Sequence, residues 1–119
     1  MNAPVLVVDD HEDFRCLLAA WIGDELRLPV RLACDGLDAQ RFFTDPGQPA
    51  PAVVLLDLEM PGLDGRGLFA WLRQHARPMP RVFLVSASTS LARVAAELEV
   101  DGYLPKPVTL PGLRRALGV

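Results

Sequence analysis

The chain has 119 residues, of which 50% are hydrophobic and 23% are charged, and its formal net charge is -3. This is the size and composition of one globular domain with a hydrophobic core, over residues 1–119. The small acidic charge argues against direct nucleic-acid binding, and no apolar run approaches the roughly 20 residues that a membrane-spanning helix needs.

The N-terminus and the cysteines indicate a cytoplasmic protein. MNAPVLVVDD has no basic segment before its apolar run and becomes acidic at once, so it does not resemble a signal peptide. Cys16 and Cys34 are too few for a disulfide framework. Both lie in apolar patterns, which predicts buried free thiols and favours them over a redox pair. Such thiols fit a reducing compartment.

The first half of the chain alternates strand and helix patterns. VLVV (5–8) is a continuous apolar run, which is typical of a strand buried on both faces. Helical spacing follows at Phe14, Leu17, Leu18 and Trp21. VRLAC (30–34) predicts a weaker second strand. A shorter helix is then indicated by Leu37, Arg41 and Phe42.

The second half continues the alternation. AVVLL (52–56) and RVFLV (81–85) predict two more buried strands, and GYLP (102–105) predicts a weaker fifth strand. Helical spacing between and after these strands is found in three sets: Leu68, Trp71, Leu72 and His75; Leu91, Val94, Ala95 and Leu98; Leu110, Leu113 and Leu117. Strict alternation of five strands and five helices predicts an α/β fold, with a doubly wound parallel sheet covered on both faces.

Polar residues follow the predicted strands, at the sheet edge where such folds bind ligands. Asp9 and Asp10 follow the first strand, Asp57 the third, Ser86 the fourth and Lys106 the fifth. Lys106 is the only lysine in the chain and lies between two prolines. One of the two adjacent aspartates could instead cap the next helix, since Asp is a favoured N-cap residue. A second aspartate is not needed for that purpose.

The predicted cluster of carboxylates calls for a cation. Asp57 comes directly after an apolar run, where an unpaired carboxylate would be costly to keep ionised. Oxygen ligands favour a hard divalent ion such as Mg²⁺, and no Cys/His cluster suggests zinc. A carboxylate beside Mg²⁺ can attack phosphorus, and a lysine ammonium and a hydroxyl can then contact the phosphoryl oxygens. Lys106 would supply that ammonium.

Four motifs resemble those of receiver domains, the phosphoacceptor modules of two-component response regulators. They are VLVVDD (5–10), LLDLEMPGLDG (55–65), VSAS (85–88) and GYLPKP (102–107), which occur in order over essentially the whole chain. The resemblance implies a flavodoxin-like sheet of order 2-1-3-4-5. It also implies five helices on the two faces of that sheet.

The resemblance further implies a role for each acidic residue of the site. Asp57 would be the phosphorylated residue and would also contact Mg²⁺. Asp10 would bind Mg²⁺ directly and Asp9 largely through water. The backbone carbonyl of Glu59 would complete the protein ligands, and the Glu59 side chain would help to tune the lifetime of the phosphoryl group.

The remaining roles concern catalysis and switching. Lys106 and Ser86 would contact the phosphoryl oxygens, and the bond from Lys106 to Pro107 would be cis. Ser86 and Tyr103 would act as the switch pair, with Tyr103 turning inward when Ser86 moves. The alternative for Tyr103 is an ordinary half-buried tyrosine at the edge of a strand.

These expectations predict a phosphoacceptor switch that takes its phosphoryl group from a sensor histidine kinase or a histidine phosphotransfer protein. Phosphorylation would change the face built by helix 4, strand 5 and helix 5, which binds a downstream protein target. The chain would lose its phosphoryl group slowly and would not be a turnover enzyme. A phosphorylation-independent interaction module is the alternative, and the complete site disfavours it. The sequence leaves open homodimerisation and membership of a longer protein.

Overall fold

The computed structural model describes residues 3–119, and within them strands and helices alternate strictly. In chain order the elements are β1 (Val5–Val8), α1 (Glu12–Ala20), β2 (Val30–Ala33), α2 (Gly36–Thr44), β3 (Val53–Asp57), α3 (Gly65–His75), β4 (Arg81–Ser86), α4 (Leu91–Leu98), β5 (Gly102–Pro105) and α5 (Leu110–Leu117). A π-helical turn, Trp21–Glu25, extends α1. No helix of this described part is long and apolar enough to cross a bilayer.

The five strands form one parallel sheet in the order β2-β1-β3-β4-β5, which confirms the predicted fold. The register aligns the carboxyl ends of neighbouring strands: Val8 pairs with Leu56 of β3, and Ser86 pairs with Pro105 of β5. The residues that follow β1, β3 and β5 therefore lie at one edge of the sheet.

Two hydrophobic layers cover the sheet, one on each face. Leu6 and Val8 of β1 belong to the layer shared with α2, α3 and α4. Val5 and Val7 belong to the layer shared with α1 and α5. Successive side chains of a strand point to opposite faces, so a strand between two layers is apolar at every position. This explains the continuous apolar runs of β1, β3 and β4.

The prediction that both cysteines are buried is wrong, because Cys16 and Cys34 are exposed free thiols. Cys16 lies two residues from the buried Leu18, and two residues correspond to about half a turn of α1. Cys34 follows the last residue of β2, an edge strand of the sheet. Although the thiol is exposed, the neighbouring protein atoms displace some of its water, and this desolvation, followed by the charges of Asp35 and Asp38, raises the pKa of Cys34.

Two leucines of the predicted helix stripes also lie outside the core. Leu17 is 43% exposed and Leu37 is 66% exposed. In α2 the buried residues are instead Gly36, Ala39 and Phe42. The helix is only nine residues long, so its few apolar positions fit more than one choice of buried face.

Candidate functional site

The structure brings three aspartates together at the carboxyl edge of the sheet. Asp9 follows β1 and is 1% exposed, and Asp57 ends β3 and is 4% exposed, while Asp10 is exposed. Each of these aspartates, and also His11, has a potential ligand atom in one cluster. The four ligand atoms all lie within 4.8 Å of one another. Repulsion among the carboxylates must be offset by cations.

Lys106 supplies one of these cations from the loop directly after β5. Its Nζ donates a hydrogen bond of 2.9 Å to Oδ2 of Asp9, and its side chain is 21% exposed. The backbone N–H of Lys106 donates to the carbonyl of Ser86 at 2.9 Å, which ties the loop to β4. The Lys106–Pro107 bond is cis, as the resemblance implied.

His11 is a member of the cluster that the sequence did not identify. Its Nδ1 lies 3.1 Å from Oδ1 of Asp9 and 3.2 Å from Oδ1 of Asp10, and its backbone N–H donates to Oδ1 of Asp9 at 2.9 Å. The one signal in the sequence is its position directly after the two aspartates. His11 is also the N-cap residue of α1, so the alternative in which an aspartate occupies that position is wrong.

The carboxyl group of Asp57 has a strongly raised pKa. Burial, and next the negative charge of Asp9, raise the pKa of Asp57 to about 6, and this value already includes the opposing charge of Lys106. The backbone N–H of Glu59 donates to Oδ1 of Asp57 at 3.2 Å. A raised pKa in a buried carboxylate means that its ionised form lacks enough positive charge nearby.

The loop from β3 to α3 fits tightly around Asp57. A Cβ added at Gly65 would lie 2.5 Å from the carbonyl oxygen of Asp57, a distance that allows only glycine without a shift of the backbone. Gly62 has a φ of 73°, in the left-handed region that glycine adopts at little cost. Both glycines therefore serve backbone geometry.

The two residues of the expected switch pair differ in exposure. Ser86 is 2% exposed, and its Oγ accepts a hydrogen bond from the backbone N–H of Ser88 at 3.0 Å. Tyr103 lies on the edge strand β5 and is 47% exposed. The tyrosine therefore has an outward position from which an inward turn would bury its ring.

An open cleft of about 510 Å³ lies between the β3–α3 and β4–α4 loops. Glu59 and Ser88 both line it, although they are far apart in the sequence. They follow Asp57 and Ser86 by two residues each, so the cleft is formed by the segments that directly follow these two residues.

The donor set fits a hard divalent cation. Asp9, Asp10 and Asp57 offer carboxylate oxygens, the ligands that Mg²⁺ prefers in proteins. The raised pKa of Asp57, caused first by burial and next by the charge of Asp9, agrees with this, because a bound cation would stabilise the ionised carboxylate. The residues present therefore suit Mg²⁺.

Comparison with known proteins gives a family. A family model described as the response regulator receiver domain matches residues 5–118. The sensor histidine kinase RcsC of Salmonella typhi is 36% identical over 116 residues, which are 97% of this chain and 12% of that protein. The positive alginate biosynthesis regulatory protein of Pseudomonas aeruginosa is 37% identical over 115 residues, which are 95% of this chain and 45% of that protein.

Solved structures agree at the level of the fold. The receiver domain of NtrX from Brucella abortus has a TM-score of 0.83 and 29% identity, covering 96% of this chain and 94% of that one. The chemotaxis protein CheY4 of Vibrio cholerae has a TM-score of 0.80 and 20% identity, covering 99% and 98%. The chain spans from one eighth to about half of the length of the curated relatives it matches.

Proposed function

The chain belongs to the response regulator receiver domain family, and we propose that residues 1–119 act as one phosphoryl-accepting switch with Asp57 as the acceptor. One observation carries the proposal. Asp57 is a buried carboxylate grouped within 4.8 Å of the ligand atoms of Asp9 and Asp10, and the only lysine of the chain donates to Asp9. A nucleophile, a cation site and an ammonium group therefore lie at one sheet edge.

In the proposed transfer, an oxygen of the Asp57 carboxylate attacks the phosphorus of a phosphohistidine. A new oxygen–phosphorus bond forms, the nitrogen–phosphorus bond breaks, and the imidazole nitrogen of the donor keeps the electron pair. Mg²⁺ would be held by Asp9, Asp10, Asp57 and the backbone carbonyl of Glu59, and when bound it supplies positive charge for the phosphoryl oxygens.

The ammonium and hydroxyl groups of the chain then respond to the new phosphoryl group. Lys106 exchanges its contact with Asp9 for a phosphoryl oxygen and stabilises the charge there. Ser86 gives up the hydrogen bond from Ser88 and donates its Oγ–H to another phosphoryl oxygen. Tyr103 moves inward and is covered. New contacts made only in the phosphorylated state shift the population between two conformations.

The proposal also names the phosphoryl donor, the output surface and the compartment. The phosphoryl donor is a sensor histidine kinase or a histidine phosphotransfer protein, and the output surface is formed by α4, β5 and α5. The domain binds a protein target through that surface, contacts neither nucleic acid nor membrane directly, and works in the cytoplasm. It loses its own phosphoryl group slowly and does not turn over a substrate.

The proposal is tested by intact mass after incubation with Mg²⁺ and a small acyl-phosphate donor. We expect one phosphoryl adduct on the wild type and none on Asp57→Asn, with a chelator abolishing the adduct. A wild type that takes up no phosphoryl group from any donor would favour the phosphorylation-independent interaction module. Equal labelling of Asp57→Asn would move the acceptor to another residue.

A further inference from the structure

Lys106 makes a second contact that the proposed mechanism does not use. Its Nζ lies 4.4 Å from the centroid of the Phe14 ring, well within the distance at which a cation is attracted to an aromatic face. Phe14 lies in the first turn of α1 and is half-buried. Its ring packs against the hydrophobic layer that includes Leu18 and Leu113.

The ammonium needs such support because its other side-chain contact changes during the proposed reaction. A lysine side chain is a flexible four-carbon stem with three N–H donors. The hydrogen bond of Lys106 to Asp9 holds it in the unphosphorylated protein. Asp9 is also an expected metal ligand and already accepts from His11, so it is a shared and exchangeable partner.

An aromatic ring holds an ammonium in a different way. The attraction comes from the ring quadrupole, so it requires no carboxylate and uses none of the hydrogen-bond acceptors of the site. It therefore does not depend on the hydrogen bond to Asp9, which Lys106 would exchange for a phosphoryl oxygen. A leucine at this position would fill much of the same apolar space but would provide no π face.

We propose that Phe14 is a positioning residue, whose ring keeps the Lys106 ammonium within reach of the phosphoryl group on Asp57. The proposal rests on the proposed function and adds a residue to it. Phe14 does not touch the reacting atoms and acts only through Lys106.

The contact can be observed directly, because the chain has one lysine. Protein made with ¹³C-labelled lysine gives a single ε-methylene signal, which a ring above the ammonium shifts upfield. We expect the shift to be lost in Phe14→Leu and kept in Phe14→Tyr. Phe43→Leu is the matched control, since Phe43 is a half-buried aromatic residue on the other face of the sheet. An unchanged lysine signal in Phe14→Leu would overturn the proposal.

The functional consequence is tested by a double-mutant cycle on the rate of phosphorylation by an acyl-phosphate donor. Loss of a cation–π contact of ordinary strength slows this rate about two- to fivefold in Phe14→Leu, and Phe14→Tyr restores it. In a Lys106→Ala background, Phe14→Leu has no further effect. Phe14→Met, which retains a long apolar side chain, replaces Phe14→Leu if the latter lowers the urea midpoint of unfolding.

The outcomes separate the two proposals. Suppose that the wild type is phosphorylated, but Phe14→Leu slows phosphorylation equally in the wild-type and Lys106→Ala backgrounds. This result would overturn the positioning role of Phe14 and leave the proposed function intact. A wild type that accepts no phosphoryl group would overturn the proposed function and, with it, the role of Phe14. We expect an upfield lysine signal in the wild type, a wild-type phosphorylation rate in Phe14→Tyr, and no effect of Phe14→Leu in the Lys106→Ala background.

Discussion

The site groups three carboxylates, those of Asp9, Asp10 and Asp57, around a single lysine ammonium. Asp9 is almost fully buried and has Lys106 and His11 as partners, whereas Asp57 is almost as buried and accepts one backbone hydrogen bond. Burial and the charge of Asp9 raise the pKa of Asp57 to about 6, against an ordinary value of 3.8. The ionised form of Asp57 therefore destabilises the metal-free protein.

We expect Asp57→Asn to stabilise the metal-free protein at pH 7.5, by at most about 3 kcal/mol, since one pKa unit corresponds to about 1.36 kcal/mol. The folded-state pKa is the higher one, so the penalty from Asp57 is fully present above pH 6. It falls as the pH drops through 6 and is absent below the unfolded value. Urea unfolding of both proteins with a chelator, at pH 7.5 and at pH 5, measures this difference.

The control for this prediction is Asp24→Asn, which removes an exposed carboxylate outside the site. Its effect on the free energy of unfolding should be small and should not change between the two pH values. Added Mg²⁺ should stabilise the wild type more than Asp57→Asn. An Asp57→Asn gain that grew toward pH 5 would contradict the assigned direction of the pKa shift.

The sequence predicted the strands better than it predicted the side-chain contacts between elements. All five strands were predicted. The three central strands gave the clear signal, because residues buried on two faces leave a continuous apolar pattern, whereas the edge strands β2 and β5 gave a weaker one. The hydrogen bond between Asp9 and Lys106 joins residues 97 positions apart, and only the parallel topology placed them at one edge. The helical pattern identified Phe14 but not its contact with Lys106, since no local pattern encodes a partner on another element.

At the scale of elements, the β3–α3 loop is the part that a small change should disturb most. Gly65→Ala places a methyl group 2.5 Å from the carbonyl oxygen of Asp57, so the loop must move, and Asp57 must move with it. We expect a loss of about 1–3 kcal/mol in the free energy of unfolding, as for other overpacked sites, together with a lower rate of phosphorylation. Urea unfolding and intact-mass kinetics give the two quantities.

Gly23→Ala is the matched control for Gly65→Ala. An added Cβ at Gly23 meets its nearest neighbour, Val30, at an ordinary contact distance of 3.7 Å. This variant should unfold close to the wild-type midpoint and should be phosphorylated at the wild-type rate. If Gly65→Ala matched it in both measurements, the tight fit around Asp57 would have no functional importance.

At the scale of the whole molecule, the proposed switch connects the buried Ser86 with the exposed Tyr103. Because Tyr103 is the only tyrosine, its ring signals in a ¹³C-tyrosine-labelled protein report its exposure without ambiguity. We expect phosphorylation to shield the ring from a soluble paramagnetic probe in the wild type. In Ser86→Ala the ring should stay accessible although Asp57 is still phosphorylated.

Thr89→Ala is the comparison for Ser86→Ala, because Thr89 is an exposed hydroxyl residue in the same β4–α4 loop. It should behave as the wild type does, with the tyrosine ring shielded on phosphorylation. Shielding in Ser86→Ala equal to that in Thr89→Ala would remove Ser86 from the switch.

The alternation of residues along each strand also has a consequence for how the chain unfolds. Every central strand contributes side chains to both hydrophobic layers, so neither layer can melt while the other keeps its sheet. Trp21 packs against one layer and Trp71 against the other. Single-tryptophan variants, Trp21→Phe and Trp71→Phe, should therefore each show the same urea midpoint by fluorescence as by circular dichroism. Cooperativity of this kind would confine conformational change on phosphorylation to the face formed by α4, β5 and α5 and to the loops beside it, while the rest of the two layers acts as a rigid frame.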